Sequence, residues 1–143
     1  MTIMTKKYKI LTKYIKDMSS ETPDIETYIF VRDYIGKYQL NIDINSKPLK
    51  DKMIEINTIL KFEDNQENKK KSYFEINYST VVKIEENISD KKDLEKIILC
   101  EVPTEIYPQL EKSFLNLLHN SGYPNVKFEK KVDFEQLYNQ RFN

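Results

Sequence analysis

Three stretches of the chain alternate apolar and polar residues, which is the period of a strand with one buried face. They cover residues 38–45, 54–62 and 73–84. A turn-like segment, Asn45–Pro48, separates the first stretch from the second, and a polar segment at 63–71 separates the second from the third. Because short connections usually join neighbouring strands, the pattern predicts an antiparallel meander.

An earlier segment, Tyr8–Met18, is rich in residues that favour strands, but its apolar residues fall on both faces. This distribution predicts a strand that is covered on both sides. Serine and proline in Ser19–Pro23 favour a turn. The next apolar segment, Tyr28–Val31, is compatible with a short helix or a strand, and the sequence leaves both open.

After Pro103 the apolar residues recur at spacings of three and four, as one face of an amphipathic helix requires. That face contains Tyr107, Leu110, Phe114, Leu117 and Leu118. Pro108 is expected in the first turn, and Gly122 followed by Pro124 predicts the end of the helix after about four turns. Asp133 is expected to cap a second helix. One side of that helix contains Phe134, Leu137, Tyr138 and Phe142.

Strands followed by helices predict an α+β fold rather than alternating βαβ units. The expected architecture is a four-stranded antiparallel sheet followed by a long helix and a short C-terminal helix. The chain has 143 residues, which suits a single domain covering residues 1–143.

Composition narrows the class of protein. Hydrophobic residues make up 39% of the chain and charged residues 32%, with 23 basic and 23 acidic side chains. The zero net charge removes the general electrostatic argument for a nucleic-acid or anionic-membrane partner. The longest apolar run, Ile97–Cys100, is too short to cross a membrane, and Met1–Tyr14 lacks the apolar core of a signal peptide. We therefore expect a soluble cytoplasmic protein without direct membrane insertion.

Residue types that carry chemistry are scarce. Cys100 and His119 are the single cysteine and the single histidine, so neither a zinc site nor a catalytic triad is expected. With two glycines the chain cannot form a glycine-rich phosphate-binding loop. The sequence predicts no enzyme, no metal and no cofactor, and it leaves binding through a surface as the expected activity.

Five segments in the same order resemble motifs of the SecB protein-export chaperone family. They are Tyr14–Pro23, Phe74–Tyr78, Val102–Pro108, Asn116–Pro124 and Val132–Tyr138. The first resembles the family pattern Y-[VI]-K-D-[LI]-S-F-E-x-P, with serine replacing the aromatic residue. The third resembles C-P-N-x-L-F-P, with the cysteine displaced and threonine replacing asparagine. The chain is identified as a divergent member of this family.

The resemblance implies a SecB-like oligomer, a homotetramer built as a dimer of dimers, with the long helices between outer sheets. It also implies a holdase that binds unfolded precursor proteins in apolar grooves and keeps them competent for translocation. By their match to family positions, the implied client-binding residues are Ser72, Phe74, Ile76, Tyr78 and Tyr107.

The resemblance further implies docking of the SecA motor on an acidic patch of the exposed sheet face. The matching positions here are Asp17, Glu21, Tyr73 and Glu75. Carboxylates at this patch would attract the cationic tail of SecA. The implied function is delivery of preproteins to the Sec pathway, and no nucleic-acid partner is expected.

Two alternatives remain open at this stage. The divergence from the family patterns is also compatible with a dedicated SecB-like chaperone, such as one that serves a toxin–antitoxin pair or another specific client. A small enzyme of unknown type is disfavoured, because no organised set of catalytic residues is evident in the sequence.

Overall fold

The computed structural model describes residues 7–85, 88 and 90–142, with side chains through residue 140 of the last helix. The predicted position of the Phe142 side chain lies outside the described residues. Four strands come first: β1 (Tyr8–Glu21), β2 (Gln39–Pro48), β3 (Met53–Glu63) and β4 (Tyr73–Ile84). Helix α1 (Ile25–Tyr34) and a 3₁₀ turn (Ile35–Lys37) lie between β1 and β2.

A second group of helices follows the strands. Helix α2 (Lys91–Lys96) continues through a π-helical turn (Ile97–Glu101) into α3 (Val102–Asn120), and α4 (Phe134–Phe142) comes last. The predicted fold class is therefore confirmed: an antiparallel four-stranded sheet, a long helix and a short C-terminal helix.

The sheet has the strand order β1-β4-β3-β2, and all neighbouring pairs are antiparallel. The expected break at Asn45–Pro48 is wrong, because β2 continues until Pro48 pairs with Ile54. The reversal comes later, at Asp51 and Lys52, whose φ angles are 60° and 62°. Two consecutive left-handed residues form the tight hairpin turn whose twist matches that of the flanking strands.

The expectation that β1 is covered on both sides is wrong for the described chain. Four of its large apolar side chains are exposed: Leu11, Tyr14, Ile15 and Met18. Because β1 pairs only with β4 within the described residues, its other edge has no neighbouring strand there. The register with β4 shifts between Ile10 and Thr12 and again between Ile15 and Asp17. Each shift inserts an extra residue and reverses the alternation, which explains the mixed pattern in the sequence.

The long helix is longer than its periodicity indicates. The periodicity predicts a start near Pro103, but α2 and the π-helical turn precede that residue and are continuous with α3. Pro108 therefore lies inside α3 and not in a first helical turn. Pro108 is exposed on the outer side of the helix, where the carbonyl that loses its partner can bind water. The π-helical turn ends one residue before Val102–Pro103, and Pro103 has no amide hydrogen to donate to a carbonyl of the preceding turn.

The core lies between the inner face of the sheet and α3. The inner face contributes alternate residues of β3 and β4, and α3 contributes one stripe at helical spacing. The fully buried members with the largest side chains include Ile56, Leu60, Phe74, Ile76, Ile106, Leu110, Phe114 and Leu118. The predicted apolar faces of the strands and of the helix therefore pack on each other.

The two remaining helices are fixed by capping side chains. In α1, the segment that the sequence left open, Asp24 accepts a hydrogen bond from the Thr27 amide at 2.8 Å. The predicted cap of α4 is confirmed, since Asp133 accepts from the Gln136 amide at 3.0 Å. Both contacts satisfy an amide of a first helical turn that has no partner within the helix.

Candidate polypeptide-binding groove and sheet face

The five predicted client-binding residues are all buried in the described chain, with at most 7% of any side chain exposed. Phe74, Ile76 and Tyr78 alternate along the inner face of β4, and Ser72 precedes that strand in the same phase. Tyr107 is a buried residue of α3 in the helix layer. The structure thus places all five beneath the surface, four in or directly before β4 and one in the long helix. Their role in client binding remains a prediction.

Ser72 is the centre of a buried hydrogen-bond network. Its hydroxyl lies 2.7 Å from the Thr22 hydroxyl and 3.1 Å from the Tyr123 hydroxyl. Its amide donates to the Tyr38 hydroxyl at 3.0 Å. Burial raises the pKa of Tyr38 to about 12, so the phenol stays protonated near neutral pH. The network links the end of β1, the start of β4 and the segment after α3.

Tyr107 has an apolar contact and a buried hydroxyl near a carboxylate. Its ring packs edge-on against Phe134 of α4, with 5.4 Å between the ring centroids. Burial raises the pKa of Tyr107, and interaction with the negatively charged Glu111 carboxylate raises it further. Within the described residues the buried hydroxyl oxygen makes no hydrogen bond of close geometry.

An open groove lies beside the edge strand β2, and sequence reasoning missed it. The groove has a volume of about 1040 Å³, and its apolar lining includes Leu40, Ile42, Phe62, Phe128 and Leu137. One wall is β2, and the other comes from residues 125–133 and the start of α4. Leu40 and Ile42 belong to the alternating apolar pattern of β2. That pattern predicts residues buried in the core, and it gives no sign that these two line an open groove.

Aromatic rings form the floor of this groove. The rings of Phe62 and Phe128 meet edge to face at 5.5 Å, and Phe128 stacks on Phe114 of α3 at 6.1 Å. Tyr38 lies next to Phe62, with 5.5 Å between their centroids. Such a floor suits apolar side chains of another polypeptide, because aromatic pairs add favourable contacts to the burial of surface.

The backbone of β2 is a second binding element in the groove. Among the described strands β2 pairs with β3 alone, so the amide and carbonyl groups of its outer edge have no strand partner beside the groove. An extended polypeptide can pair with such an edge through its own backbone, whatever its sequence. The groove therefore combines an unselective backbone contact with an apolar floor.

The four residues predicted to bind SecA come together on the outer face of the sheet. Glu21 pairs with Tyr73 across β1 and β4, and Asp17 pairs with Asn77 two steps along on the same face. Glu75 lies between them and forms an ion pair with Lys61 at 3.5 Å. Tyr73 is 57% exposed. The structure thus forms an acidic patch around an exposed aromatic ring, and its role in SecA binding remains a prediction.

Cys100 and His119 make structural contacts. Cys100 is buried, and burial raises the pKa of its thiol, which lowers its reactivity. The His119 Nε2 lies 2.9 Å from the Val126 carbonyl oxygen, to which it donates. Within the part of the chain that the structure describes, no three His, Cys, Asp or Glu residues form a group that could hold a metal ion. Nor does any helix there have the length and apolar character to cross a bilayer.

The chain was compared with known protein families, curated proteins and solved structures. The family model described as "Preprotein translocase subunit SecB" matches residues 3–143. A putative protein-export protein SecB of Pelagibacter ubique is 64% identical, and the match covers 98% of this chain and 100% of that protein. The protein-export protein SecB of Parvibaculum lavamentivorans is 25% identical over 93% of this chain and 77% of its own length.

A solved structure shares the fold. The Mycobacterium tuberculosis Rv1957 SecB-like chaperone, in complex with a ChAD peptide from the Rv1956 HigA1 antitoxin, superposes with a TM-score of 0.61. The match covers 88% of this chain and 91% of that chain at 10% sequence identity. The family match over nearly the whole chain and the 64% identical relative confirm the resemblance seen in the sequence motifs. The chain belongs to the SecB family of protein-export chaperones.

Proposed function

We propose that the protein is a holdase that binds unfolded preproteins in the groove beside β2 and keeps them competent for translocation. The observation that carries the proposal is the combination of an open apolar groove of about 1040 Å³ with an unpaired strand edge. This arrangement provides a binding surface, and the proposal assigns the protein no catalytic reaction.

The proposed binding mode is strand addition. A client segment would lie along β2 in an extended conformation, with backbone hydrogen bonds to the strand edge and alternate side chains directed into the groove. Each large apolar side chain that Phe62 and Phe128 cover would contribute about 1.5–3 kcal/mol. Since folded proteins bury such side chains and satisfy their own backbone, the groove would select unfolded chains.

The buried client-binding candidates would then act from beneath the groove. The Ser72 network holds Tyr38, which lines the groove, and Phe74 packs against Tyr38 with 6.3 Å between the ring centroids. We propose that these residues fix the shape of the groove floor. The same role is proposed for Ile76, Tyr78 and Tyr107 in the layer below.

For transfer to the translocase, we propose that SecA docks on the acidic patch formed by Asp17, Glu21, Tyr73 and Glu75. The patch lies on the outer face, whereas the groove lies at the β2 edge and the helix layer. Client and motor could therefore bind at the same time. An Asp17→Asn and Glu75→Gln double variant should bind SecA more weakly and bind clients unchanged, and equal SecA binding by both proteins would reject this step.

We propose a cytoplasmic homotetramer, arranged as a dimer of dimers. Support comes from the free edge of β1 and its exposed apolar side chains, including Ile15 and Met18, which a second copy could cover. Because an unpaired strand with apolar side chains promotes association, a monomer with this edge exposed would tend to aggregate. The outer face of the sheet would stay accessible in such a dimer.

Size-exclusion chromatography with light scattering, run with and without a permanently unfolded client, tests both the holdase proposal and the homotetramer proposal. The expected result is a particle of four times the 17.2 kDa chain mass that gains the mass of a client. A particle that ignores the client would reject the holdase proposal. Capture of a single antitoxin in place of many precursors would instead assign the dedicated toxin–antitoxin role.

A further inference from the structure

The outer face of the sheet has two ends of opposite charge, which the zero net charge conceals. At the end with the acidic patch, five carboxylates share the face with one lysine. They are Asp17, Glu21, Asp43, Glu63 and Glu75, with Lys61 among them. The register places these residues on one side, because Asp17, Glu21 and Lys61 are opposite outward residues of β4, and Asp43 and Glu63 share the phase of Lys61 in β2 and β3.

The other end of the same face is basic. Lys9, Lys47 and Lys83 lie there in the outward phase, and the adjoining β2–β3 turn adds Lys50 and Lys52. The turn is fixed at this end, since the Ile84 amide donates to the Lys52 carbonyl at 2.9 Å. Among the described residues, the acids at this end are Asp51 in the turn, Glu55 in β3 and Glu85 after β4.

Glu55 neutralises little of this charge. Its carboxylate accepts hydrogen bonds from Lys16 at 3.1 Å, Tyr14 at 3.2 Å and Ser79 at 3.1 Å. Lys16 is a sixth lysine on this side, so the Glu55 charge is balanced within its own cluster. Among the described residues, Lys9, Lys47, Lys50 and Lys83 therefore remain at this end against Asp51 and Glu85.

Lys9 and Lys83 form an unfavourable pair. They are direct cross-strand partners on the outward face, and like charges in that position repel each other. Both side chains are exposed, and among the described residues neither forms an ion pair. A sheet that only had to fold would gain from a carboxylate at either position. The repulsion would fall if a negatively charged surface lay against this end.

The two ends act separately in solution. Glu75 and Lys83 are eight residues apart on β4, about 27 Å at the rise of a strand. This separation exceeds the Debye length of about 8 Å at physiological ionic strength several-fold. A partner at the basic end therefore experiences the local positive charge rather than the zero total.

We infer that the basic end of the outer face, defined by Lys9, Lys47, Lys50 and Lys83, docks on an anionic phospholipid surface. The positive charges are all lysines, and protein–protein interfaces are depleted in lysine and enriched in arginine and aromatic residues. Attraction to an anionic bilayer requires only positive charge near the surface.

Exposed apolar side chains at the same end favour a lipid surface further. Leu49 next to the turn is 38% exposed, and Leu11 at the first bulge of β1 is 44% exposed. Lysines beside shallow apolar side chains are the combination by which proteins bind the bilayer interface without crossing it. The patch includes a turn at the end of the sheet, so contact there can leave the acidic end tilted away from the bilayer.

The test uses the full chain without a client, so its outcome is independent of the holdase proposal. Binding to phosphatidylcholine vesicles with and without phosphatidylglycerol is measured by co-sedimentation at low and physiological ionic strength. Wild-type protein should bind the anionic vesicles alone and should dissociate as salt rises. Since each lysine contributes about 1 kcal/mol, a Lys9→Gln and Lys83→Gln variant should bind about 30-fold more weakly.

A Lys69→Gln and Lys70→Gln variant is the matched control, because it loses the same charge from exposed positions outside both the patch and the groove. It should bind vesicles like the wild type. Circular dichroism and light scattering would check that both variants keep the native fold and assembly. Equal losses in both variants, or no binding to anionic vesicles, would overturn the inference. Patch-dependent binding to duplex DNA without vesicle binding would assign a nucleic-acid partner and overturn it as well.

Discussion

Replacement of Gly122 by alanine is expected to destabilise the protein for two reasons. The backbone conformation of Gly122 is unfavourable for a residue with a Cβ, and the Tyr28 ring occupies the space that the Cβ would need. The φ angle of Gly122 is +107°, a value that side-chain-bearing residues adopt at a cost of about 1–3 kcal/mol. A Cβ at this position would lie 2.7 Å from Cε1 of Tyr28 and 3.3 Å from its Cζ. The ring must therefore move.

Movement of the ring would break two contacts that join α1 to the end of α3. The Tyr28 hydroxyl donates to the Gly122 carbonyl at 2.8 Å, and a lost hydrogen bond costs about 1 kcal/mol. The Tyr28 ring lies 5.4 Å from that of Tyr123, a pair worth about 0.5–1.5 kcal/mol. Together with the backbone cost, Gly122→Ala should lower the free energy of unfolding by about 3–5 kcal/mol.

Urea unfolding at a fixed protomer concentration measures this change, since assembly makes stability concentration-dependent. Gly36→Ala is the matched control. A Cβ at residue 36 would have no other heavy atom within 4 Å, and the φ of Gly36 is not left-handed, so a change within about 1 kcal/mol is expected. In a Tyr28→Ala background, Gly122→Ala should cost only the backbone part. Equal stability of the Gly122→Ala and Gly36→Ala variants would refute the reasoning.

Three further substitutions test the local chemistry. Tyr107→Phe removes a buried hydroxyl that interacts with the Glu111 carboxylate without close hydrogen-bond geometry, so the unfolding free energy should change by less than about 1 kcal/mol, and a larger loss would indicate a full hydrogen bond. The hydrogen bond from Lys16 lowers the pKa of Glu55, so ionised Glu55 stabilises the fold above the unfolded pKa of about 4.3. Glu55→Gln should therefore reduce stability at neutral pH, and a pH series should show this deficit vanishing in acid; a constant deficit would contradict this. Asp133→Ala removes the cap of α4 and should cost about 1 kcal/mol in urea unfolding, with no change expected for the exposed Asp33→Ala.

Alternation along the sequence was sufficient to predict β2, β3 and β4, because each has one face in the core. It was insufficient for β1, where extra residues at the two bulges reverse the phase. The burial of β1 was predicted wrongly for a second reason. Apolar residues on an edge strand look like core residues in a sequence, although Ile15 and Met18 are exposed in the folded chain.

The helix layer shows a similar limit. One face of α3 was evident from its spacing, but α2 and the π-helical turn were missed. The turn at Ile97–Glu101 shifts the helical phase just before Pro103, so a single periodic stripe cannot continue through it. Proline at 103 and 108 also resembled the start of a helix, although the helical segment begins at Lys91.

The candidate site was predictable only in part. The four acidic-patch residues come together because strand register fixes their neighbours. The groove was missed because one of its walls, residues 125–133, has no helix or strand and no periodic signal. Only the folded chain brings Phe128 against Phe62, which lies 66 residues earlier in the sequence. The sequence motifs indicated the family, and the structure indicated where the surface is open.

The central claim is that the groove beside β2 holds the client, and Leu40→Ser tests it most directly. Leu40 lines the groove, and removing its apolar contact should cost about 1.4 kcal/mol, a tenfold weaker affinity for a fluorescently labelled unfolded client. Leu49→Ser is the matched control, because Leu49 is exposed and does not line the groove. Fluorescence anisotropy should show the loss for Leu40→Ser alone. Unchanged affinity in a correctly folded Leu40→Ser variant, or equal losses in both variants, would contradict the account.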